Sequence, residues 1–477
     1  MTALEYETVI GLEIHVQLAT RTKMFCACAL GFGEEPNTRT CPVCLALPGA
    51  LPVVNAEAIH FGLMIGLALN CELNGSSIFD RKNYFYPDSP KGYQISQNED
   101  PLCSGGELGG VRIHRAHLEE DAAKTIHAGG GGGRVLGSAH SVVDFNRGGT
   151  PLCEIVTEPD ITSAEQAGEF LRLLRTTMRR IGVSDVNMEE GSLRCDANIS
   201  IRPAGQTELG VKTELKNMNS FRFIERGIRA EVARQEALLR AGEPVVQETL
   251  HFDPRTERLT SMRSKEEAHD YRYFPEPDLT PVTITPAMLE RARAAMPELP
   301  AARQERFVTV LGLAPDSAKL LAWRTELGDF YEAALAEGGD AVPLANWTVN
   351  ELVQRLGADV DPATSRVRPA ALAVLVGLVT EKKITAGAGK TVLDKLVAEG
   401  GDPTAIVETG GLAAMGAGDE LAAAVAAALE AQPAVAERIR GGDTKPMGAI
   451  IGAVMKQTKG RADGQEVTRL VREQLGL

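Results

Sequence analysis

Three stretches in the first half of the chain alternate strictly between apolar and polar residues. In the stretch 12–18 the even positions are apolar, and the odd positions include Glu13 and His15. The segments 192–202 and 210–216 alternate in the same way. Because successive side chains of a β-strand point to opposite faces, this pattern predicts a mainly antiparallel sheet with one packed face and one wet, polar face.

The composition changes along the chain, whose length of 477 residues is enough for about three domains. The strand-like pattern ends before Pro297, after which the sequence is helical in character and rich in Ala, Leu and Glu. A second break, made of glycine and small residues, lies at 399–403. We therefore expect an α+β fold with a largely antiparallel-sheet domain over residues 1–292, a helical domain over 293–405 and a small helical tail domain over 406–477.

Two helices are predicted inside the first domain. Ser163 and Gln166 have the spacing of a capping box, in which side chains satisfy backbone N–H groups at the start of a helix. The helix that they open should end near Gly182, because glycine commonly follows a helix. A second helix is expected from about Phe221 to Leu239.

Charge is distributed unevenly. The formal net charge of −14 disfavours a chain that coats nucleic acid indiscriminately, yet the segment from Arg438 to the end contains eight Lys and Arg residues against four acidic ones. Such a locally basic module remains compatible with an RNA partner. There is no signal-peptide pattern and no window of the ~18 apolar residues that a membrane span requires, so we expect a soluble, cytoplasmic protein without a membrane partner.

Four of the eight cysteines lie close together in the sequence. Cys26 and Cys28 form one pair, and Cys41 and Cys44 form a second pair after twelve intervening residues. Two thiolate pairs at this spacing can enclose one tetrahedral Zn²⁺, which would hold the loop 26–44 and leave no coordination position open for chemistry. A redox pair and unmetallated thiols are the alternatives. The other cysteines are expected to be inert core thiols; they are Cys71, Cys103, Cys153 and Cys195.

Acidic residues accumulate on the polar positions of the predicted strands. Carboxylates that converge on one sheet face repel each other unless cations lie among them. Oxygen-rich sites with an occasional His suit Mg²⁺ or Mn²⁺, the usual companions of ATP phosphates. The pattern does not show which strands are neighbours, and it does not choose between Glu119 and Glu120. The candidates are Glu13, His15, Glu119, Glu120, Asp121, Glu154, Asp196, Asn198 and Glu214.

A second cluster lies in the Pro- and Gly-rich segment 79–94. Cations interleaved with aromatic rings are suited to stacking a nucleotide and holding its phosphates. The alternative is a turn-rich surface loop with packed tyrosines. The residues are Arg81, Lys82 and Lys91 with Tyr84, Tyr86 and Tyr93. No phosphate-binding glycine loop, dinucleotide fingerprint or serine nucleophile elbow accompanies them.

Several long motifs resemble a known family. They are YETVIGLEIHVQL, FDRKNYFYPDSPKGYQISQ, HLEEDAAKTIH, DFNRGGTPLCEIVTEPD, MEEGSLRCDANISIRP and ELKNMNSFRFIERGIRAE. In this order they are similar to the B subunits of bacterial aspartyl/glutamyl-tRNA amidotransferases, and the resemblance covers essentially the whole chain. The C-terminal segment is similar to the small tRNA-binding tail domain of that family.

The resemblance implies an ATP-dependent carbon–nitrogen ligase that uses glutamine as its amide donor. A cradle domain similar in fold to glutamine synthetase would use Mg-ATP to phosphorylate the side-chain carboxylate of Glu on tRNA(Gln), or of Asp on tRNA(Asn). Ammonia from the glutaminase, which is the A subunit, would then displace phosphate. A small C subunit would brace the heterotrimer.

The resemblance also assigns individual residues. It places metal ligands at Glu13, His15, Glu120, Glu154 and Glu214, and thereby prefers Glu120 over Glu119; Glu120, Glu13 and His15 are the predicted catalytic residues. It places Lys82 and Lys91 near an ammonia-channel mouth. Together with Tyr84, Asp196 and Asn198 they are the predicted cofactor-binding residues. The four clustered cysteines match a zinc site that only some family members have.

Two other functions are compatible with parts of the sequence. A tRNA-binding scaffold would use the cysteine loop and the basic tail, while a different protein of the complex performs all chemistry, but it has no use for a His and several acids on one sheet face. A self-sufficient glutamine-synthetase-like ligase would need its own ammonia supply, and the Ser/Lys signature of a glutaminase is not present in the sequence.

Overall fold

The computed structural model describes residues 5–128, 138–216, 218–263, 271–357, 360–415, 418–458 and 460–477. The chain divides into two compact units at Leu299 and Pro300. The first unit contains the sheet, and the described part of the second contains only helices, which confirms the predicted α+β class.

The described residues of the first unit form short and long strands and four helices. Its strands are β1 (Tyr6–Gln17), β2 (Glu72–Leu73), β3 (Ser76–Ser77), β4 (Asp80–Asn83), β5 (Tyr93–Ser96), β6 (Cys103–Ser104), β7 (Glu107–Leu108), β8 (Val111–Glu120), β9 (Lys124–Ala128), β10 (His140–Asp144), β11 (Pro151–Thr157), β12 (Leu193–Pro203), β13 (Thr213–Lys216), β14 (Thr249–Asp253), β15 (Arg258–Arg263), β16 (Phe274–Pro275) and β17 (Val282–Thr283). Its described helices are α1 (Ala56–Ala68), α2 (Ala164–Arg180), α3 (Phe221–Ala241) and α4 (Pro286–Ala295).

The main sheet of the described residues has ten strands. Its order is β15-β14-β13-β12-β1-β11-β8-β6-β2, with β7 paired to β8 at one side. All pairings are antiparallel except that of β13 with β14. The three alternating stretches of the sequence are therefore neighbours in space, because β13, β12 and β1 lie side by side.

One face of this sheet is packed. Leu12, Ile14 and Val16 of β1 are buried, as are the apolar residues that alternate along β12. Helix α3 packs on β12, α2 packs on α3, and α1 packs on β8. The polar residues of the central strands consequently share the opposite face.

The two predicted helices are present. Ser163 Oγ accepts a hydrogen bond from Gln166 N at 3.1 Å, and Gln166 Oε1 accepts one from the backbone N–H of Thr162 at 2.9 Å. Helix α2 then ends just before Gly182, whose φ of 73° is unfavourable for other residues. Helix α3 ends at Gly242, which has a left-handed backbone.

The second unit contains two separate apolar cores. The first extends from Phe307 to Val407, and the second from Leu421 to Leu475. The helices are α5 (Pro300–Thr309), α6 (Pro315–Trp323), α7 (Thr325–Ala336), α8 (Ala341–Asn346), a π-helical turn (Trp347–Leu352), α9 (Val353–Leu356), a 3₁₀ turn (Pro362–Thr364), α10 (Pro369–Thr380), α11 (Ala386–Glu399), α12 (Pro403–Gly410), α13 (Asp419–Ala431), α14 (Pro433–Arg440), α15 (Met447–Gln457) and α16 (Gly464–Leu475). Throughout the described ranges, every helix is too short or too polar to cross a bilayer.

The centre of α10 should be critical for the larger helical core. Leu372 is fully buried there, whereas Val374 on the same helix is 44% exposed. We expect Leu372→Ala to lower the free energy of unfolding of this unit by about 2–5 kcal/mol, because it leaves a cavity, and Val374→Ala by less than about 1 kcal/mol. Hydrogen exchange of peptides from α10, measured over a series of urea concentrations, gives the free energy of unfolding of this unit in both variants. Equal losses in the two variants would contradict the packing described.

Candidate metal centres on the polar face

Three side chains from three neighbouring strands meet on the polar face of the sheet. His15 Nε2 lies 3.3 Å from Glu119 Oε1 and 3.3 Å from Glu154 Oε2. The imidazole of His117 lies behind them, with Nε2 at 3.7 Å from Glu154 Oε2 and 3.9 Å from Glu119 Oε2. All four side chains are at least four-fifths buried. This set is called the His15 group below.

Strand register explains why these residues meet. His15 of β1 is directly opposite Glu154 of β11, and Glu154 is opposite His117 of β8. Glu119 follows His117 by two residues and therefore points to the same face. The alternation of β1 places His15 on the polar face, and the pairing of β1, β11 and β8 supplies its partners.

Burial and charge oppose each other in the His15 group. Burial alone would lower the pKa of His15, but hydrogen bonds to Glu119 and Glu154 raise that pKa to about 10. Burial likewise raises the pKa of the two carboxyl groups and so disfavours their ionised form. The neighbouring imidazoles nevertheless hold the pKa of Glu154 at about 2 and that of Glu119 well below its usual range. Two ionised carboxylates are thus buried beside one another, and a cation is required between them.

A metal ion is one cation that fits this group. His15, Glu119 and Glu154 offer ligand atoms that all lie within 4.8 Å of one another. One imidazole nitrogen and carboxylate oxygens are the donors that Mg²⁺ and Mn²⁺ use in proteins. A divalent cation would take the place of the His15 proton between the two carboxylates.

Glu120 points away from this group. Its Oε1 accepts hydrogen bonds from Lys91 Nζ and, at 3.0 Å, from the backbone N–H of Ile95. The structure therefore assembles Glu119 with His15 and Glu154, where the family resemblance had placed Glu120. The physical reason is the alternation of β8, since adjacent residues of a strand face opposite sides. A metal-binding or catalytic role of Glu120 itself stays a prediction.

The remaining predicted ligands form a separate set on the same face. Asn198 Nδ2 donates to Glu13 Oε1 at 2.8 Å. Lys216 Nζ lies 2.5 Å from Asp196 Oδ2 and 3.3 Å from Glu214 Oε1. Here a lysine supplies the cation that the carboxylates require. Glu13 precedes His15 by two residues on β1, whereas Glu214 lies on β13, two strands away; both are held by other partners.

The loop 79–94 brings one lysine towards the His15 group. Burial opposes the charge of Lys82, but the electrostatic influence of Tyr273, Glu119 and Glu154 raises its pKa above the usual range. Its Nζ also lies 4.9 Å from the centre of the Tyr271 ring. Lys82 is therefore a second positive charge available to this end of the polar face.

The other members of the loop have different partners. Arg81 makes two hydrogen bonds of 2.7 Å to the carboxylate of Glu276, so it anchors the loop. The Tyr84 ring lies 6.4 Å from that of Tyr86 and 6.3 Å from that of Tyr271, centre to centre. The Arg81 guanidinium lies 4.2 Å from the centre of the Tyr93 ring, so one cation and one aromatic ring of the loop are in contact.

The clustered cysteines form a second candidate metal centre. The Sγ atoms of Cys26, Cys28, Cys41 and Cys44 all lie within 4.8 Å of one another, and all eight cysteines are free thiols. Cys44 Sγ accepts a hydrogen bond from the backbone N–H of Cys41 at 3.2 Å. Four soft donors at these distances could hold a metal ion such as zinc.

Lys23 is a contributor to this centre that the sequence did not single out. It is fully buried, and its Nζ donates to Cys44 Sγ at 3.5 Å and to the carbonyl of Phe145 at 3.0 Å. The hydrogen bond from Cys26 and the charge of Lys23 both contribute to a Cys44 pKa of about 4, against the effect of burial. A thiolate at Cys44 is the form that binds a metal.

Comparison with known proteins defines the class of this chain. A family model described as the GatB/GatE catalytic domain matches residues 8–290, and one described as the GatB domain matches residues 329–475. The sheet, the His15 group and the cysteine cluster all lie within the matched catalytic domain.

Many similar proteins of full length are named as the B subunit of aspartyl/glutamyl-tRNA(Asn/Gln) amidotransferase. The protein from Frankia casuarinae is 48% identical over 99% of this chain and 96% of its own length. Those from Persephonella marina and Anaeromyxobacter sp. (strain K) are 46% and 47% identical, over 99% and 100% of this chain, and each alignment covers 100% of the relative. This chain belongs to the GatB family of amidotransferase B subunits, as the sequence motifs indicated.

Mn²⁺ binding should distinguish the two adjacent glutamates. Glu119→Gln is expected to weaken Mn²⁺ binding by about tenfold or more, because it removes a charged donor next to His15. Glu120→Gln should leave the affinity within about threefold, since its carboxylate contacts Lys91 instead. Mn²⁺ titration followed by electron paramagnetic resonance measures both. The reverse order of effects would show that Glu120 is the ligand.

Metal content should likewise depend on the clustered thiols. Cys44→Ser is expected to reduce bound zinc from about one ion per chain to nearly none, since it removes one of four donors. Cys71→Ser is the matched control, because Cys71 is a half-buried thiol outside the cluster. Elemental analysis of the purified proteins provides the measurement. Full zinc occupancy in Cys44→Ser would rule out a four-thiolate site.

Proposed function

We propose that this chain uses Mg-ATP to phosphorylate the side-chain carboxylate of Glu on tRNA(Gln), or of Asp on tRNA(Asn), and then forms the amide with ammonia. Its partners are an A subunit, the glutaminase that releases ammonia from glutamine, and a small C subunit. The observation that carries the proposal is the His15 group, a buried set of side chains that could hold a metal ion, on the polar face of the family's catalytic domain.

The chemistry explains why such a face is needed. A carboxylate is a poor electrophile, because attack by ammonia would have to expel an oxide ion. Transfer of the terminal phosphoryl group of ATP gives an acyl phosphate and ADP, and attack of ammonia at the acyl carbon then expels phosphate and gives the amide and a proton. Both steps bring anions together, so the site must supply positive charge.

Residues of this chain fit these requirements. His15, Glu119 and Glu154 would hold a divalent cation, which when bound neutralises charge on phosphoryl oxygens. Lys82 is placed to stabilise negative charge at the same end of the face. Glu13, fixed by its hydrogen bond from Asn198, carries a carboxyl group that can accept the proton released in the second step.

The other predicted cofactor residues have narrower roles in this proposal. Asp196 is held by Lys216, so it and Asn198 orient the acidic side chains of the face. Tyr84 supplies an aromatic surface for the adenine base. Lys91, paired with Glu120, is assigned to the entry of ammonia.

The remaining parts serve binding and support. The sheet with metal ligands on one face supports a glutamine-synthetase-like cradle, and the four thiols support structural zinc in the loop 26–44. The C-terminal core from Leu421 to Leu475 carries exposed basic side chains on its helices, among them Arg438, Arg440 and Arg469. These can contact the tRNA backbone through salt-dependent interactions.

A scaffold without chemistry is disfavoured by the burial of the His15 group. A structural role would not require two carboxylates to lie together with one imidazole, because buried charge is costly and an apolar packing would be at least as stable. A ligase that works without partner subunits is disfavoured by the names of the relatives, because each is called the B subunit of an amidotransferase.

The complex reconstituted with its A and C subunits tests the proposal. With Glu-tRNA(Gln), ATP and ammonium in place of glutamine, the wild type should form ADP and Gln-tRNA(Gln), and Glu119→Gln should lower both rates by about a hundredfold or more. Glu7→Gln is the matched control. Glu7 is on the same strand as His15 but near the opposite end of that strand, where it contacts Arg202. Undiminished Gln-tRNA formation by Glu119→Gln would contradict the kinase assignment. Glu119→Gln should leave tRNA affinity within about threefold.

A further inference from the structure

Two arginines converge on a single carboxylate beside the His15 group. Arg147 Nε donates to Asp121 Oδ2 at 2.6 Å, and Arg194 Nη2 lies 2.9 Å from Asp121 Oδ1. The Asp121 side chain is only 6% exposed. Two guanidinium groups therefore share one buried carboxylate, and the local charge is one unit positive.

The guanidinium groups lie on the polar face next to the metal ligands. Arg194 of β12 is directly opposite His15 of β1 in the sheet register. Its Nη2 lies 2.9 Å from Asp121 Oδ1, and Asp121 directly follows the end of β8. Asp121 also follows Glu119 by two residues, which places it on the same side of that strand.

Several N–H groups of these arginines lack acceptors. Arg147 Nη2 and Arg194 Nε are buried nitrogens without a hydrogen-bond partner within the described part of the chain. Arg194 Nη2 is near Asp121 but also lacks hydrogen-bond geometry. Buried donors of a charged group are costly to leave unpaired, so this arrangement favours an additional anion with several acceptor oxygens.

The loop before β12 approaches the Arg147 guanidinium at Gly191. A side-chain carbon at Gly191 would come within 3.9 Å of Arg147 Nη1 and 4.0 Å of Nη2. Gly191 has a φ of 82°, so the loop before β12 passes close to the arginine with a residue that has no side chain. About a third of the Arg147 side chain and two-fifths of the Arg194 side chain remain exposed.

We propose that Arg147 and Arg194 form a phosphate-binding site, held in position by Asp121. Guanidinium groups bind phosphate oxygens in pairs. His15, Glu119 and Glu154 would hold a divalent cation, which when bound would add positive charge near the same phosphate. The ligand is the terminal phosphate of ATP, because the site adjoins the metal ligands. This inference rests on the proposed function for its ligand. A phosphate of the tRNA backbone has the same chemistry and is distinguished by the experiment.

The experiment compares Arg147→Met and Arg194→Met with Arg202→Met in the complete complex. Arg202 is the matched control because it lies on the same strand as Arg194 and pairs with Glu7. Calorimetric titration with MgATP, MgADP and inorganic phosphate, and filter binding of tRNA, give the affinities. The first two variants should weaken MgATP binding by about tenfold or more and leave MgADP within about threefold. Arg202→Met should change neither.

Other outcomes locate the phosphate or reject the site. Loss of tRNA affinity with unchanged MgATP binding would retain the phosphate site but assign it to the RNA backbone. Unchanged binding of MgATP, inorganic phosphate and tRNA in both variants would overturn the proposal and leave the arginines as structural partners of Asp121. The phosphate site and the proposed function can fail separately. If the variants lose binding of inorganic phosphate, the site is supported. If the wild type in addition forms no ADP, only the proposed function is rejected.

A measurement on the wild type covers the case in which the variants do not fold. Phenylglyoxal modifies exposed arginines, and mass spectrometry locates the modified positions. Inorganic phosphate and MgATP should protect Arg147 and Arg194 but not Arg202. Equal modification of all three arginines with and without these ligands would overturn the proposal.

Discussion

The polar face of the sheet depends on the burial of two carboxylates, Glu119 and Glu154, on neighbouring strands. Out of water, such a pair is stable only if positive charge lies between its members. His15 supplies that charge as an imidazolium, with a pKa raised to about 10, and a divalent cation can replace its proton. The other cations of the face follow the same rule, since Lys82 adjoins this pair and Lys216 adjoins Asp196 and Glu214.

The cysteine loop is connected to this face by hydrogen bonds. Lys23 joins Cys44 to the carbonyl of Phe145, and Met24 N donates to Gly149 O at 2.7 Å. Gly149 N in turn donates to Asp121 O at 2.8 Å. The loop therefore supports the turn between β10 and β11, which carries Arg147 and leads to Glu154. A metal held by the four cysteines would in this way affect the alignment of the strands that carry the His15 group.

Much of the site was predictable because β-strands alternate. The pattern around His15 identified the polar positions of β1 and β12, and a family resemblance, now confirmed, supplied the expected chemistry. The choice between Glu119 and Glu120 was not predictable from alternation alone, because either residue can face the site until the register of β8 against β11 is known. The partners Lys23, His117 and Arg147 carried no recognisable signal, since single charged residues in a strand or loop are usually solvated.

The sequence by itself determined which segments form strands and helices, which positions are polar, which cysteines form a cluster and to which family the chain belongs. These are local properties, set by periodicity, capping and spacing, or by motifs long enough to be specific. Only the tertiary structure decided that β13, β12, β1, β11 and β8 lie side by side, that Glu119 joins His15, and that two arginines share Asp121. The reason is that contacts between distant segments depend on strand order and register, which no single segment encodes.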